Sequence, residues 1–217
     1  MANRSDVLAK INEWLAPENF QDYAPNGLQV EGSESVGVIV SGVTASQALI
    51  DEAVKQNADM ILVHHGYFWK GEGQTIRGMK KNRIKQLLDN DINLVAYHLP
   101  LDDHPEYGNN RQLADILGIQ NPRPMSGLVW QGELPEAMSS EKFGLHLARA
   151  LHRQPLHVGN GPEMIKTVAW CTGAAQGFIN AALDAGVDAY ISGEISEPTT
   201  HTARECGIHY YAAGHHA

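Results

Sequence analysis

The chain has 217 residues, enough for one large α/β domain or two closely packed lobes of about 100 residues each. With 43% hydrophobic and 19% charged residues, it is too apolar to be a disordered chain. A formal net charge of -9 speaks against a surface built to grip phosphate backbones, and no apolar run approaches the roughly 20 residues that span a bilayer.

The chain starts Met-Ala-Asn-Arg-Ser-Asp, with charges scattered among its apolar residues, and reads as an amphipathic helix and not as a secretion signal. Ser5 is the expected cap, and Val7, Leu8, Ile11, Trp14 and Leu15 recur at helical spacing. A turn-rich stretch at 22–27 leads into Leu28-Gln29-Val30. The β-branched run from Val36 to Val40 predicts a strand, Ser46 to Lys55 a helix, and Met60 to Val63 a short buried strand. A helix is expected from Arg77 to Leu88, a strand from Ile92 to Tyr97, and a helix from Asn109 to Leu117 closed by Gly118.

From about 121 to 138 the composition turns to Pro, Gly and Ser, which marks the expected boundary between a first lobe, 1–120, and a second, 121–217. Alternation then resumes with a helix at Glu141–Leu151, a strand at Ile165–Cys171 and a helix at Gly177–Asp184. A short strand at Ala189–Ser192 follows, then a helix with Pro198 in its first turn, and a strand at His209–Ala212. The fold class expected is therefore α/β, two similar lobes with mostly parallel sheets covered by helices.

The halves also resemble each other. A shift of 129 residues pairs Gln47 with Gln176, Ile50 with Ile179, Ala53 with Ala182 and Asp59 with Asp188. Each half ends in an aromatic-rich strand and a histidine, Ile-Asn-Leu-Val-Ala-Tyr-His at 92–98 and Ile-His-Tyr-Tyr-Ala-Ala-Gly-His at 208–215. Any two βαβαβ units could share four identities by chance, but a true duplication predicts two lobes facing each other across a cleft.

Cys171 and Cys206 are the only cysteines, so no disulfide framework is expected and a reducing cytoplasm is the natural compartment. Without a CxxC pair, any metal must be held by imidazole and carboxylate, and the chain carries 11 histidines. His64 and His65 directly follow the apolar run Ile61-Leu62-Val63, at the carboxyl end of a strand, where ligands of open α/β sheets sit. Neighbours on a strand point to opposite faces, yet at a strand end the two rings can reach two different metals.

His98 and Asp102, four residues apart past the next strand, add the nitrogen and oxygen ligands that zinc, iron or manganese accept. Asp103 and His104 compete for that role, and Pro100 and Pro105 are expected to stiffen the loop. By the repeat, His215 is the counterpart of His98. Glu194 corresponds by position to the His64-His65 region and His201 falls on the helix that follows it, whereas His146, His152 and His157 read as solvated or structural and His209 as a sheet-face residue. There is no GxSxG elbow, no GxGxxG and no GxxxxGK[ST] loop, so serine-hydrolase and phosphate-loop chemistries are not supported.

Five ordered motifs carry a resemblance over essentially the whole chain. They are Asn-Gly-Leu-Gln-Val-Glu-Gly (26–32), His-His-Gly-Tyr-Phe-Trp-Lys-Gly (64–71), His-Leu-Pro-Leu-Asp with Gly-Asn-Asn (98–102 and 108–110), Ser-Gly-Glu-Ile-Ser-Glu (192–197) and Ala-Gly-His-His-Ala (213–217). The chain resembles the GTP cyclohydrolase 1 type 2 homologue family. That resemblance implies a two-lobed α/β fold, a dinuclear site of divalent ions (zinc, iron or manganese) between the lobes, and a toroidal homohexamer. It implies His64, His65, Asp102 and His215 as metal ligands, with His98 and His201 lining the site without having to ligate; in the chemistry expected below, His98 or His201 carries the proton. A final glutamate ligand is implied four residues beyond the second-half histidine, past Ala217 where this sequence stops.

The chemistry expected is hydrolytic attack by a hydroxide bridging the two metals, on a small molecule such as a purine nucleotide. The rival expectation is a toroidal metal-binding scaffold, or a nucleic-acid-associated (DNA repair) protein without turnover. Strongly salt-dependent DNA binding would be its signature.

Overall fold

The computed structural model describes residues 1–216. Ala217, the end of the expected second lobe and of the fifth motif, lies outside the described residues. Contacts divide the chain into two compact units, Met1–Leu101 and one that begins at Asp102.

In the first unit, β1 (Ala2–Asn3) runs into α1 (Arg4–Leu15), followed by β2 (Gly27–Val30), β3 (Ser35–Val36), β4 (Ile39–Thr44), α2 (Gln47–Lys55), β5 (Met60–His65), α3 (Gly78–Asp89) and β6 (Asn93–Ala96). Strands β2, β6, β5 and β4 form one sheet in that order, with β4–β5 and β5–β6 parallel and β2–β6 antiparallel. Helices cover both faces. Alternate residues explain why: Ile61, Val63, Leu94 and Ala96 pack with Ile50, Ala53 and Leu87 on one face, while Met60, Val95 and Tyr97 pack on the other against Val7, Leu8, Ile11 and Leu15. Trp14, at the margin of the α1 stripe, is 54% exposed and does not join that core. The cap of α1 is Asn3, whose Oδ1 accepts from Ser5 N at 2.9 Å, and not Ser5 itself.

The short α4 (Leu99–Asp103) leads into the second unit, which continues with α5 (Asn109–Leu117), β7 (Gln120–Ser126), β8 (Val129–Ser139), α6 (Ser140–Ala150), β9 (Leu156–Gly159), β10 (Met164–Cys171), α7 (Ile179–Asp184), β11 (Ala189–Ser192), α8 (Glu197–Glu205) and β12 (His209–Ala212). Its six strands run in the order β7-β8-β10-β11-β12-β9, with β10–β11–β12 parallel and the outer pairings antiparallel. Val168, Trp170, Ile191 and Tyr211 face Phe143 and Leu147, while Ala169, Cys171, Tyr190 and Tyr210 face Ile179, Ala182 and Ala203. The Pro, Gly and Ser stretch at 121–138 is therefore not a linker. It folds as the β7–β8 hairpin, with Val129, Trp130 and Leu134 buried in the sheet. Among the described residues, no helix is long and apolar enough to cross a membrane.

The two parallel cores share one register. Ile39 pairs with Met60 in the first unit, and Val168 with Ala189 in the second, each shifted by the 129 residues that relate the halves. One side chain clamps the entry of each strand pair. Asp59 Oδ2 accepts from Gly37 N and Val38 N, both at 2.8 Å; Asp188 Oδ2 accepts from Lys166 N at 2.9 Å and Thr167 N at 2.7 Å. The strand expected at Val36–Val40 is split at Gly37 and Val38, the two residues clamped by Asp59, with β3 ending at Val36 and β4 starting at Ile39. Asp188→Ala, which strips two part-buried amides of their acceptor, should cost about 1–3 kcal/mol, and Asp59→Ala, whose two amides are exposed, about 0.5–1.5 kcal/mol. Urea unfolding reads this as a lower midpoint in both variants; a neutral result in either one would contradict the shared clamp.

Candidate metal centre

His64 and His65 are the last two residues of β5, one step beyond the Val63–Ala96 pair where β6 stops. The strand thus extends through the pair, instead of ending at Val63 as expected, because Thr44 of β4 still pairs with His65 and Ala45 N donates to His65 O at 2.9 Å. Tyr97 N donates to Val63 O at 3.0 Å, which carries the chain past β6 and sets His98 beside the pair. The ring centroids of His64 and His65 lie 4.4 Å apart, with His98 4.9 Å from His64 and 5.6 Å from His65. One ligand nitrogen from each of the three rings lies within 4.8 Å of the others. Trp69 stands edge-on to both His65 and His98 and walls this side of the cluster.

Each imidazole is held through Nδ1. His64 Nδ1 meets the Tyr97 carbonyl at 3.1 Å, His65 Nδ1 meets Thr44 Oγ1 at 3.4 Å, and His98 Nδ1 meets Asp22 Oδ1 at 2.7 Å. A carbonyl only accepts, so the ring of His64 donates to Tyr97 from Nδ1, while His98 Nδ1 faces a carboxylate. The glycine after the pair has a steric reason. A Cβ on Gly66 would lie 2.1 Å from Gln29 Oε1 and 2.7 Å from the Ala96 Cβ, and that same Gln29 oxygen accepts from Tyr67 N at 2.6 Å.

Asp22 and Asn26 belong to the stretch read from sequence only as a turn. Burial by itself raises the Asp22 pKa, but hydrogen bonds from His98, Asn26, Leu99 N and Tyr23 N outweigh it and bring the carboxyl down to about 2. A carboxylate depressed in the folded state stabilises the protein above the ordinary aspartate range, and that contribution is lost as pH falls towards 2.

In the second unit, Asp102 lies on α4 and is buried, its Oδ1 accepting from Asn109 Nδ2 at 2.8 Å and Thr172 Oγ1 at 3.2 Å. The loop expected around Pro100 is thus a short helix. Of the competitors, His104 Nδ1 accepts from Glu106 N and Tyr107 N and is committed to the local turn. Burial, with the Asp102 charge adding, pushes the Asp103 carboxyl up. The Cys171 thiol is pushed up to about 12, first by burial and then by Asp102, so it stays a neutral core group.

His215 Nδ1 meets Glu194 Oε1 at 2.7 Å. The ladder corrects the equivalence drawn from sequence: Ala96 matches Ala212, so Gly214 and not His215 stands where His98 does. By the same register, Val63 matches Ser192, and Gly193 and Glu194 replace His64 and His65. His201 is exposed on α8, with no side-chain hydrogen bond among the described residues. His146 bonds the Leu117 carbonyl, and His157 and His209 bond each other at 3.0 Å, which gives these three structural partners.

The family model Duf34/NIF3 (NGG1p interacting factor 3) matches residues 2–217. The chain belongs to the Duf34/NIF3 family. It is 58% identical to the GTP cyclohydrolase 1 type 2 homolog of Escherichia coli (strain K12), over 95% of this chain and 84% of the relative. It is 55% identical to the protein of the same name from Pseudomonas aeruginosa, over 98% of this chain and 86% of that one. Among solved structures, protein ybgI, whose function is given as unknown, superposes with a TM-score of 0.97 at 55% identity, covering 99% of this chain and 87% of that chain. TTHA1606 from Thermus thermophilus follows with a TM-score of 0.90 at 32% identity, covering 99% and 87%.

Two outcomes test the local account. Gly66→Ala should cost about 1–3 kcal/mol through overpacking against Ala96 and Gln29, read by thermal or urea unfolding; a neutral variant contradicts the close approach. Wild-type stability should drop as pH falls from about 4 towards 2, and Asp22→Asn should flatten that drop. An unchanged slope would show that Asp22 is not the group responsible.

Proposed function

We propose that this chain is a divalent-metal-dependent hydrolase acting on a nucleotide-like small molecule, with His64, His65, Asp102 and His215 holding a pair of metal ions. The observation that carries the reading is the cluster of three half-buried imidazoles whose ligand nitrogens lie within 4.8 Å of one another. The donor set fits such ions. Imidazole nitrogens with a buried carboxylate suit zinc, iron or manganese, and anchoring each ring at Nδ1 is the usual support of a ligating histidine. The Cys171 thiol, held neutral by burial, does not compete as a thiolate ligand. The chemistry such ions supply when bound is Lewis-acid polarisation of the bond under attack.

His98 is the proton carrier in this reading. Its Nε2 lone pair accepts a proton beside His64 and His65, and the Asp22 carboxylate stabilises the cation that results. His201, exposed and without such a partner, is the weaker choice for the same task. The nucleotide-like substrate is drawn from the name of the curated relatives, which makes GTP the first compound to assay. A ring-shaped homohexamer is part of the same proposal.

Metal analysis and turnover test it together. Purified wild-type protein should retain about two divalent ions per chain, and the His64→Ala, Asp102→Ala double variant should lose them. Metal-dependent turnover should appear among nucleotides and phosphoesters. Full metal retention by the double variant would overturn the site, and a metal-loaded protein inert on every such substrate would overturn the hydrolase.

A further inference from the structure

The stretch at 22–26 does more than turn the chain. Asp22 is almost wholly buried, its side chain 3% exposed, and it makes four contacts, in three of which it accepts from an amide N–H. The partners are His98 Nδ1 at 2.7 Å, Leu99 N at 2.9 Å, Asn26 Nδ2 at 2.9 Å and Tyr23 N at 2.6 Å. Asn26 completes the grip, its Oδ1 accepting from His98 N at 2.8 Å. His98 is thus held twice by one short loop: Asn26 takes its backbone and Asp22 takes its ring.

These contacts have different consequences. The bonds to Leu99 N, Tyr23 N and Asn26 shape the loop and would do so whichever nitrogen of His98 carried the hydrogen. The bond to His98 Nδ1 is the one that chooses. Three N–H groups, those of Leu99, Tyr23 and the Asn26 amide, already hold this carboxyl group as an acceptor, so the ring must supply the hydrogen of the fourth contact from Nδ1. We propose that Asp22 is a positioning residue that fixes His98 as the Nδ1–H tautomer, leaving the lone pair on Nε2 at the three-histidine cluster. The proposal deepens the hydrolase reading above, in which His98 Nε2 receives the proton.

The same logic governs a catalytic triad, where replacing the orienting carboxylate with an amide keeps the geometry but imposes the wrong tautomer. In Asp22→Asn a single amide oxygen remains for the backbone donors. The new NH2 then donates to His98 Nδ1, and the ring hydrogen moves to Nε2.

The test is nitrogen-15 NMR of histidine-labelled, metal-free full-length protein at about pH 8, above the ordinary imidazole range. The His98 signals are assigned by their loss in His98→Gln. The wild-type ring is expected as the Nδ1–H tautomer and Asp22→Asn as the Nε2–H tautomer. Asn26→Ala removes the grip on the backbone but keeps the carboxylate, and should retain Nδ1–H. A wild-type ring found as Nε2–H, an Asp22→Asn ring that stays Nδ1–H, or an Asn26→Ala ring that switches would each overturn the proposal. Should Asp22→Asn fail to fold, the wild-type and Asn26→Ala spectra still decide. Because the protein is metal-free and no turnover is read, failure here is distinct from failure of the hydrolase reading. If both hold, metal-dependent turnover in Asp22→Asn should fall by about 10–100-fold while its metal content stays at the wild-type level.

Discussion

The nitrogen His64 turns towards the backbone meets the carbonyl of Tyr97, 3.1 Å away. This one contact depends on the whole first sheet. The parallel β5–β6 ladder ends at Val63 and Ala96, and Tyr97 N then bonds Val63 O, which fixes the orientation of the peptide that follows. Tyr97 itself is 1% exposed, locked among Met60, Val95 and the apolar face of α1. A carbonyl cannot donate, so the ring must, and its remaining lone pair is assigned by packing several residues away. His98 is set by the same rule with a carboxylate in place of the carbonyl. A strand pair at the end of its ladder, a buried aromatic and two acceptors therefore account for the cluster.

The second unit uses the same frame for other chemistry. Asp59 and Asp188 clamp equivalent strand entries, and the parallel ladders keep equivalent registers. Where the first unit puts two imidazoles after its middle strand, the second puts Gly193 and Glu194, and Glu194 holds the ring of His215. The frame dictates where side chains emerge, at the carboxyl ends of the parallel strands, and not what they are.

Much of this was legible in the residues. The β-branched and apolar runs predicted the central strands, and Asp59 with Asp188 was among the four identities that pointed to a duplication before their shared role was visible. His64 and His65 stood out because two adjacent imidazoles after a buried strand have few structural uses. Their partners were harder to read. Asp22 is 76 residues from His98, and nothing in a turn composition says which distant ring a carboxylate will meet. The β7–β8 hairpin was obscured by its prolines and glycines, which mark edge strands and turns as readily as linkers. The α4 helix was missed because Pro100 suits a first helical turn as well as a loop. The one-residue slip between His98 and His215 arose from matching motif to motif, where only the ladder sets register.

The central claim is that Nε2 of His64 and His65 face a bound cation while Nδ1 of each is committed to the fold. Anomalous diffraction from crystals grown with manganese or zinc tests it most directly. The account predicts a strong anomalous peak within bonding distance of Nε2 on both rings, with the Tyr97 carbonyl still on His64 Nδ1. No peak at the pair, or a peak bonded through Nδ1 with that carbonyl contact broken, would contradict it.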